Sequence, residues 1–352
     1  MTMTRYSWLA FTSLVLAGSA LAAETVAWNW GTATGDYSSD HSFDESKAIC
    51  KRLGAPVIPA ADRPSPQETA ALKDCDSEAL YYGEKGTPDY IKARQCAVME
   101  AEHGDDDSFF SGNTILMQIY ANGFGTGRNI NLATALACSV ESAPAENDGR
   151  VLHLQALAAK PAGFDVCDDI TSGYAGGMCT ARDAVKTDNE RDQKIVMVLR
   201  QFPAESQPVF NDLKTAFDAF ATAHAGDETD LSGSARGEFV IEAETGERDQ
   251  FLKDLTRLAN GQWLTGSQAD ANAADTALNQ SYRDSLKACV AGDDNLSTVK
   301  GDDVRATQRL WLVYRDAYLR FAQVAAPTVP QSAILTRLTK LRTAELDNLP
   351  CK

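Results

Sequence analysis

Apolar residues recur at three- and four-residue steps through most of the second half of the chain. Leu278, Tyr282, Leu286 and Cys289 form one stripe, and Val304, Trp311, Tyr314, Tyr318 and Ala322 form another. The spacing predicts two amphipathic helices that face one another across a polar, turn-forming connection from Gly292 to Gly301. Upstream, Phe210, Leu213, Phe217, Phe220 and His224 share a face of a helix opened by Pro208. After a turn over Gly226 to Gly233, the chain returns from Ser234 towards Asn260, with Phe251, Leu255 and Leu258 on the inner side and Gly261 as an end signal. That pair reads as a long antiparallel hairpin. A last helix starts near Pro330 and carries Ile334, Leu338 and Leu341 inward, while Ile195 to Leu199 is a helical fragment closed by Pro203.

The first half is organised differently. Ala23 to Phe43 has no helical period and reads as a lead-in; Glu45 to Leu53 predicts a short helix; Pro56, Pro59, Pro64 and Pro66 enforce an extended crossing before a helix near Gln67. Two stretches then echo one another. Leu80-Tyr81-Tyr82-Gly83 leads through Gly86 to Ala93, and Tyr120-Ala121-Asn122-Gly123 leads through Gly125 to Ala133, at an offset of 40 residues. Such an offset predicts stacked helical hairpins, each an apolar helix ended at a glycine turn and followed by a helix whose alanine permits close packing. A weaker third copy runs from Thr171 to Ala181 around Gly173, Gly176 and Gly177. With alanine-rich segments and few β-branched runs, the expected fold class is all-α, an irregular helical-hairpin repeat region followed by a helical hairpin and a small helical domain.

Composition adds an address and a charge. Arg5, the apolar run Trp8 to Gly18 and Ala20-Leu21-Ala22 read as a cleavable export signal, so the mature chain is expected to start at Ala23, in the periplasm or outside the cell. All eight cysteines, Cys50, Cys75, Cys96, Cys138, Cys167, Cys179, Cys289 and Cys351, lie beyond that signal, which favours disulfides in an oxidising compartment. Their connectivity stays open, except that Cys289 and Cys351 alone follow Cys179 and are expected to pair. The net charge of −16 argues against nucleic acid and anionic membrane surfaces as partners, and for soluble behaviour or a cationic partner. From Gly261 onward 11 Lys and Arg meet 10 Asp and Glu, so the acidic excess lies in the preceding part.

The residues offer no catalytic constellation, cofactor motif or metal-ligand spacing, and none of the three is expected. The four histidines, His41, His103, His153 and His224, fall in no ligand pattern, and His224 reads as a packed or boundary residue of its helix. Gly233-Ser234-Ala235-Arg236-Gly237 lacks the preceding strand of a nucleophile elbow. Asp105 to Asp107, Asp293-Asp294 and Asp302-Asp303 lack the alternation of a calcium loop and read as solvated loops and helix caps, Asp302 capping the Val304 helix. Asn279, Gln280, Gln308, Arg315 and Asp316 sit beside Tyr282, Trp311 and Tyr314, where polar groups are expected to satisfy one another; Arg315 needs a carboxylate such as Asp284 or Asp316 if buried.

The half-motifs Ala277-Leu278-Asn279-Gln280-Ser281-Tyr282 and Gln308-Arg309-Leu310-Trp311-Leu312-Val313-Tyr314-Arg315-Asp316 resemble the LprI-type lysozyme-inhibitor family of exported bacterial proteins. The hairpins around Gly83 and Gly123 resemble Sel-one-like repeats, which usually hold protein partners. The first resemblance implies a small helical domain, a protein partner and inhibition of a lysozyme or related cell-wall hydrolase. The second implies the alternative, an envelope scaffold or assembly factor that binds its partner through the repeats. Family members commonly bridge a cysteine before the first half-motif to one after the second. Here Leu319 stands where the latter is expected, and Cys289 with Cys351 is the substitute. The expected organisation is a signal over 1–22, a repeat region over 23–190, a connecting hairpin over 191–262 and an LprI-like domain over 263–352.

Overall fold

A computed structural model describes residues 28–34, 41–84, 86–104, 108–159, 162–262, 265–289 and 297–351. The export signal, about half of the lead-in, the Asp105 to Asp107 run, Asp293-Asp294 and the first half of the Gly292 to Gly301 connection lie outside the described residues. Within them the chain forms thirteen α-helices and no strand, as the periodicity predicts.

The N-terminal core is built by α1 (Asp44–Leu53), α3 (Ser77–Tyr82), α4 (Tyr90–His103), α5 (Gly112–Asn122), α6 (Ile130–Ala137) and α7 (Pro144–Ala159), while α2 (Pro66–Ala71) buries no residue and lies against α4. Ser65 starts α2 with a reciprocal cap to Glu68. The echoing stretches adopt one local geometry twice. Gly83 and Gly123 end α3 and α5 in the left-handed region, φ 71° and 74°, where a Cβ is disfavoured. Asp89 and Asn129 then cap α4 and α6, each accepting from the backbone N–H three residues on. Their own N–H groups donate back to Leu80 O at 3.0 Å and Tyr120 O at 2.9 Å. Ala93 and Ala133 are fully buried. Gly86 and Gly125 do not correspond: a Cβ on Gly125 would lie 2.6 Å from Tyr90 O at the start of α4, whereas Gly86 faces open space.

The weaker third copy is no turn. Gly173, Gly176 and Gly177 lie in the first turns of α8, a continuous helix Gly173–Leu199 that absorbs the predicted Ile195 to Leu199 fragment. The glycines there serve close approach. A Cβ on Gly173 would sit 2.5 Å from Ala235 N, and Gly177 faces Gly237 and Glu238 at the start of α10. The charged middle of α8 stays helical because its buried Arg191 bonds Asp188 on its own helix and Asp249 of α10, the latter at 2.8 Å.

The second core joins the C-terminal end of α8 to α9 (Ser206–Asp227), α10 (Arg236–Ala259), α11 (Gln268–Ala288), α12 (Gly301–Ala325) and α13 (Gln331–Asp347). The predicted stripe on α9 buries Phe210, Leu213, Phe217 and Phe220. Phe217 stacks on Phe251 of α10 with centroids 4.1 Å apart, and Phe220 stacks on Tyr314 of α12 at 5.5 Å. Here one expectation is corrected. The α11 and α12 helices do not take each other as main partners; α12 lies along α9, and α11 lies along α13. The large aromatic face of α12 finds matching rings on α9, whereas the small face of α11, with Ala271, Ala274, Ser281 and Ser285 buried, admits α13 closely. Ser285 Oγ reaches Leu346 O at 3.1 Å across that contact. At the start of α12 the cap contact is also one residue later than predicted: Lys300 N–H donates to Asp303, and exposed Asp302 pairs with Arg305.

Four cysteine pairs close the chain on itself: Cys50–Cys138, Cys75–Cys96, Cys167–Cys179 and the expected Cys289–Cys351. The first ties α1 to the residue that ends α6, and the last ties the end of α11 to the C-terminal tail. Among the described residues, no helix is long and apolar enough to cross a membrane.

Candidate functional site

On α13 the inward positions are Ile334 and Leu338, both predicted, and then Arg342 in place of the half-buried Leu341. Arg342 has no exposed side-chain surface. Its guanidinium gives two parallel bonds to Glu228, Nη1 to Oε2 at 2.7 Å and Nη2 to Oε1 at 2.6 Å. Nε donates to Gln308 of α12 at 2.9 Å, and Nη1 also reaches Glu345 one turn on at 3.1 Å. Phe220 lies beneath the guanidinium at 5.6 Å.

A second layer surrounds this pair. His224, one turn before Glu228, stacks on Phe220, and its Nδ1 stands 3.2 Å from Oε1 of Glu247 on α10. Its Nε2 is 3.8 Å from Glu228. His224, Glu247 and Glu345 each offer a donor atom within 4.8 Å of the other two. Burial lowers the His224 pKa to about 4, further favoured by nearby Arg342, although Glu228 opposes the shift. Burial, then repulsion from Glu345, pushes Glu247 up to about 8 against the pull of Arg342. Burial also raises Glu345 despite its contact with Arg342. Three carboxylates thus share one guanidinium in a region closed by aromatic rings.

The apolar and aromatic residues at helical spacing in the two half-motifs turn inward, and the polar ones between them lie mostly outside. Leu278, Trp311 and Tyr314 are core, Tyr282 is half-buried, and Gln308 holds Arg342. Arg315 is half-buried, meets Asp316 at 2.7 Å and packs 5.5 Å from the Trp311 ring, so of the two carboxylates considered Asp316 is its partner. Asn279 and Gln280 are exposed and bond along their own helix to Asp275 and Asp284. Outward on α12 lie Leu312 and Val313, 37% and 56% exposed. Sequence reasoning missed the Arg342 cluster. His224 with Glu228 and Arg342 with Glu345 stand one helical turn apart, but no spacing rule relates these pairs to one another or to Glu247 and Gln308 on other helices.

The fold defines an all-helical protein closed by four cystine pairs. Its residues 261–346 match the family model described as Lysozyme inhibitor LprI, a span that holds α11, α12 and all but the last residue of α13. The match contains both half-motifs and does not extend to the repeat-like hairpins. No curated protein and no solved structure matches the chain. Of the buried cluster, Gln308, Arg342 and Glu345 fall inside the matched span, whereas His224, Glu228 and Glu247 are supplied from outside it.

Proposed function

We propose that the chain acts outside the cytoplasm as a protein-binding protein that inhibits a lysozyme or a related cell-wall hydrolase by covering its substrate cleft. The observation that carries this reading is the match of residues 261–346 to the LprI inhibitor model. Four cystine pairs suit an oxidising compartment. The acidic excess before Gly261 supplies a field that draws in a cationic hydrolase, a rate effect that salt screens.

Inhibition is tested by lysis of peptidoglycan with lysozymes of several classes, with and without the oxidised mature chain. Dose-dependent protection near one-to-one stoichiometry is the expected result, with an association rate that falls as ionic strength rises. Undiminished lysis by every class tested would end this reading.

A second reading is favoured by the matching turns of α3–α4 and α5–α6. Stacked hairpins of this geometry suit an envelope scaffold whose partner sits on the repeats. Ile91 and Phe124, 56% and 40% exposed, lie where the second turn meets the start of α4. Crosslinking from Ile91 in the exported protein separates the readings: a specific envelope partner together with unchanged lysis supports the scaffold.

A further inference from the structure

We propose that His224, Glu247 and Glu345 form a binding site for one divalent transition-metal cation, with Zn²⁺ the best match to the donor set. Three helices, α9, α10 and α13, each contribute one side chain, and their donor atoms converge within 4.8 Å. One imidazole with two carboxylates is a donor set that Zn²⁺ accepts readily, with water completing a tetrahedron.

Two further observations point to a ligand. First, Nδ1 of His224 is buried and makes no hydrogen bond, although Oε1 of Glu247 stands only 3.2 Å away. Two donors bound to one tetrahedral zinc at about 2.0–2.1 Å stand about 3.3 Å from each other, so this spacing already suits a shared ion. Second, Glu247 and Glu345, though not His224, border a cavity of about 10 Å³, room for the one water that would complete the coordination.

Charge balance gives the same sign. Arg342 gives both terminal nitrogens to Glu228, which leaves Glu247 and Glu345 with little of its charge. Burial disfavours their ionised forms, and a dication held between them would stabilise those forms. His224 and Glu247 side chains keep 16% and 15% exposure, which leaves an entry path. Among the described residues the other convergent group, Cys75, Cys96 and Glu100, offers nothing comparable because both sulfurs are joined in a disulfide. A cation here neither requires nor excludes inhibition of a hydrolase.

The test is calorimetric titration of the full oxidised chain, freed of metal by chelation, with ZnCl₂. One equivalent is expected to bind, with affinity at least tenfold weaker in Glu247→Gln and His224→Gln variants whose circular dichroism matches the parent. Absence of Zn²⁺ binding by the parent overturns the proposal, as does binding that both folded variants retain undiminished. The parent also locates the ion without any variant. The imidazole resonances of its four histidines are followed through the titration. A shift of His224 is expected, and shifts confined to His41, His103 or His153 overturn the site.

Discussion

Arg342 on α13 and Glu228 just past α9 form a two-point ion pair with neither side chain exposed to solvent. The cation belongs to the span that matches the LprI model, and the anion lies outside it. Helices α9 and α10 therefore complete the polar interior of the C-terminal bundle, as their aromatic rings complete its apolar one.

Removing the cation alone should be severe. With Arg342→Met, Glu228 is left buried and uncompensated, and the expected loss is about 3–5 kcal/mol in urea denaturation. The double variant Arg342→Met, Glu228→Leu removes both charges and should recover at least half of that loss. A single variant as stable as the parent would contradict the pairing.

Stability should depend on pH in two limbs in metal-free buffer. The unfolded chain protonates His224 near its ordinary 6.5 and the native one only near 4, so stability falls as acid is added through that window. For Glu247 the native value, about 8, lies above the ordinary 4.5, so its contribution is lost as pH rises from 4.5 to 8. These two slopes cancel between 4.5 and 6.5, and a shallow decline remains there from Glu78, raised by burial to about 7. Above 6.5 the carboxyl prevails, with a decline on the order of 1 kcal/mol per pH unit. Glu345 acts in the same direction as Glu247. Denaturation midpoints from pH 4 to 9 should show a shallow decline that steepens above 6.5, with less steepening in Glu247→Gln; a rise all the way to pH 8 would refute the assignment.

Two glycine-to-alanine changes should move stability in opposite directions. Gly246, exposed in the middle of α10 with nothing near its missing Cβ, gains about 1 kcal/mol from helix propensity. Gly173 begins α8 against the backbone of Ser234 and Ala235, so a methyl there must push the α8–α10 crossing apart. A loss of about 1–3 kcal/mol is expected. Thermal melts of the two variants beside the parent measure both signs.

The disulfides should differ in weight. Cys289–Cys351 closes a sequence separation of 62 and Cys167–Cys179 one of 12. Chain entropy assigns them about 4 and about 3 kcal/mol respectively. Paired serine variants compared by urea denaturation should keep that order, and a larger loss for the shorter loop would show that native-state contacts decide instead.

The sequence by itself determined most of the helices from Pro208 onward and the aromatic and aliphatic residues of their inner faces, but not α7 or the full length of α8. Periodicity located Phe217 and Phe220, Trp311 and Tyr314, and Ile334 and Leu338, because the 3.6-residue turn writes burial into local spacing. Turn chemistry located Gly83 and Gly123, because only a left-handed residue ends those helices so sharply. The bridge between Cys289 and Cys351 was legible because no other cysteine follows Cys179.

Tertiary structure alone decided which faces meet. The inner face of α12 is large and aromatic and fits α9, and that of α11 is small and fits α13; periodicity says that a face is buried but not against what. Gly173, Gly176 and Gly177 looked like a turn because glycine serves turns and close helix crossings alike, and only the position of α10 tells the two apart. The same limit hid the cluster. Glu228 and Arg342 are 114 residues apart, and a buried charge reveals itself only when folding removes the water around it and leaves the partner that replaces it.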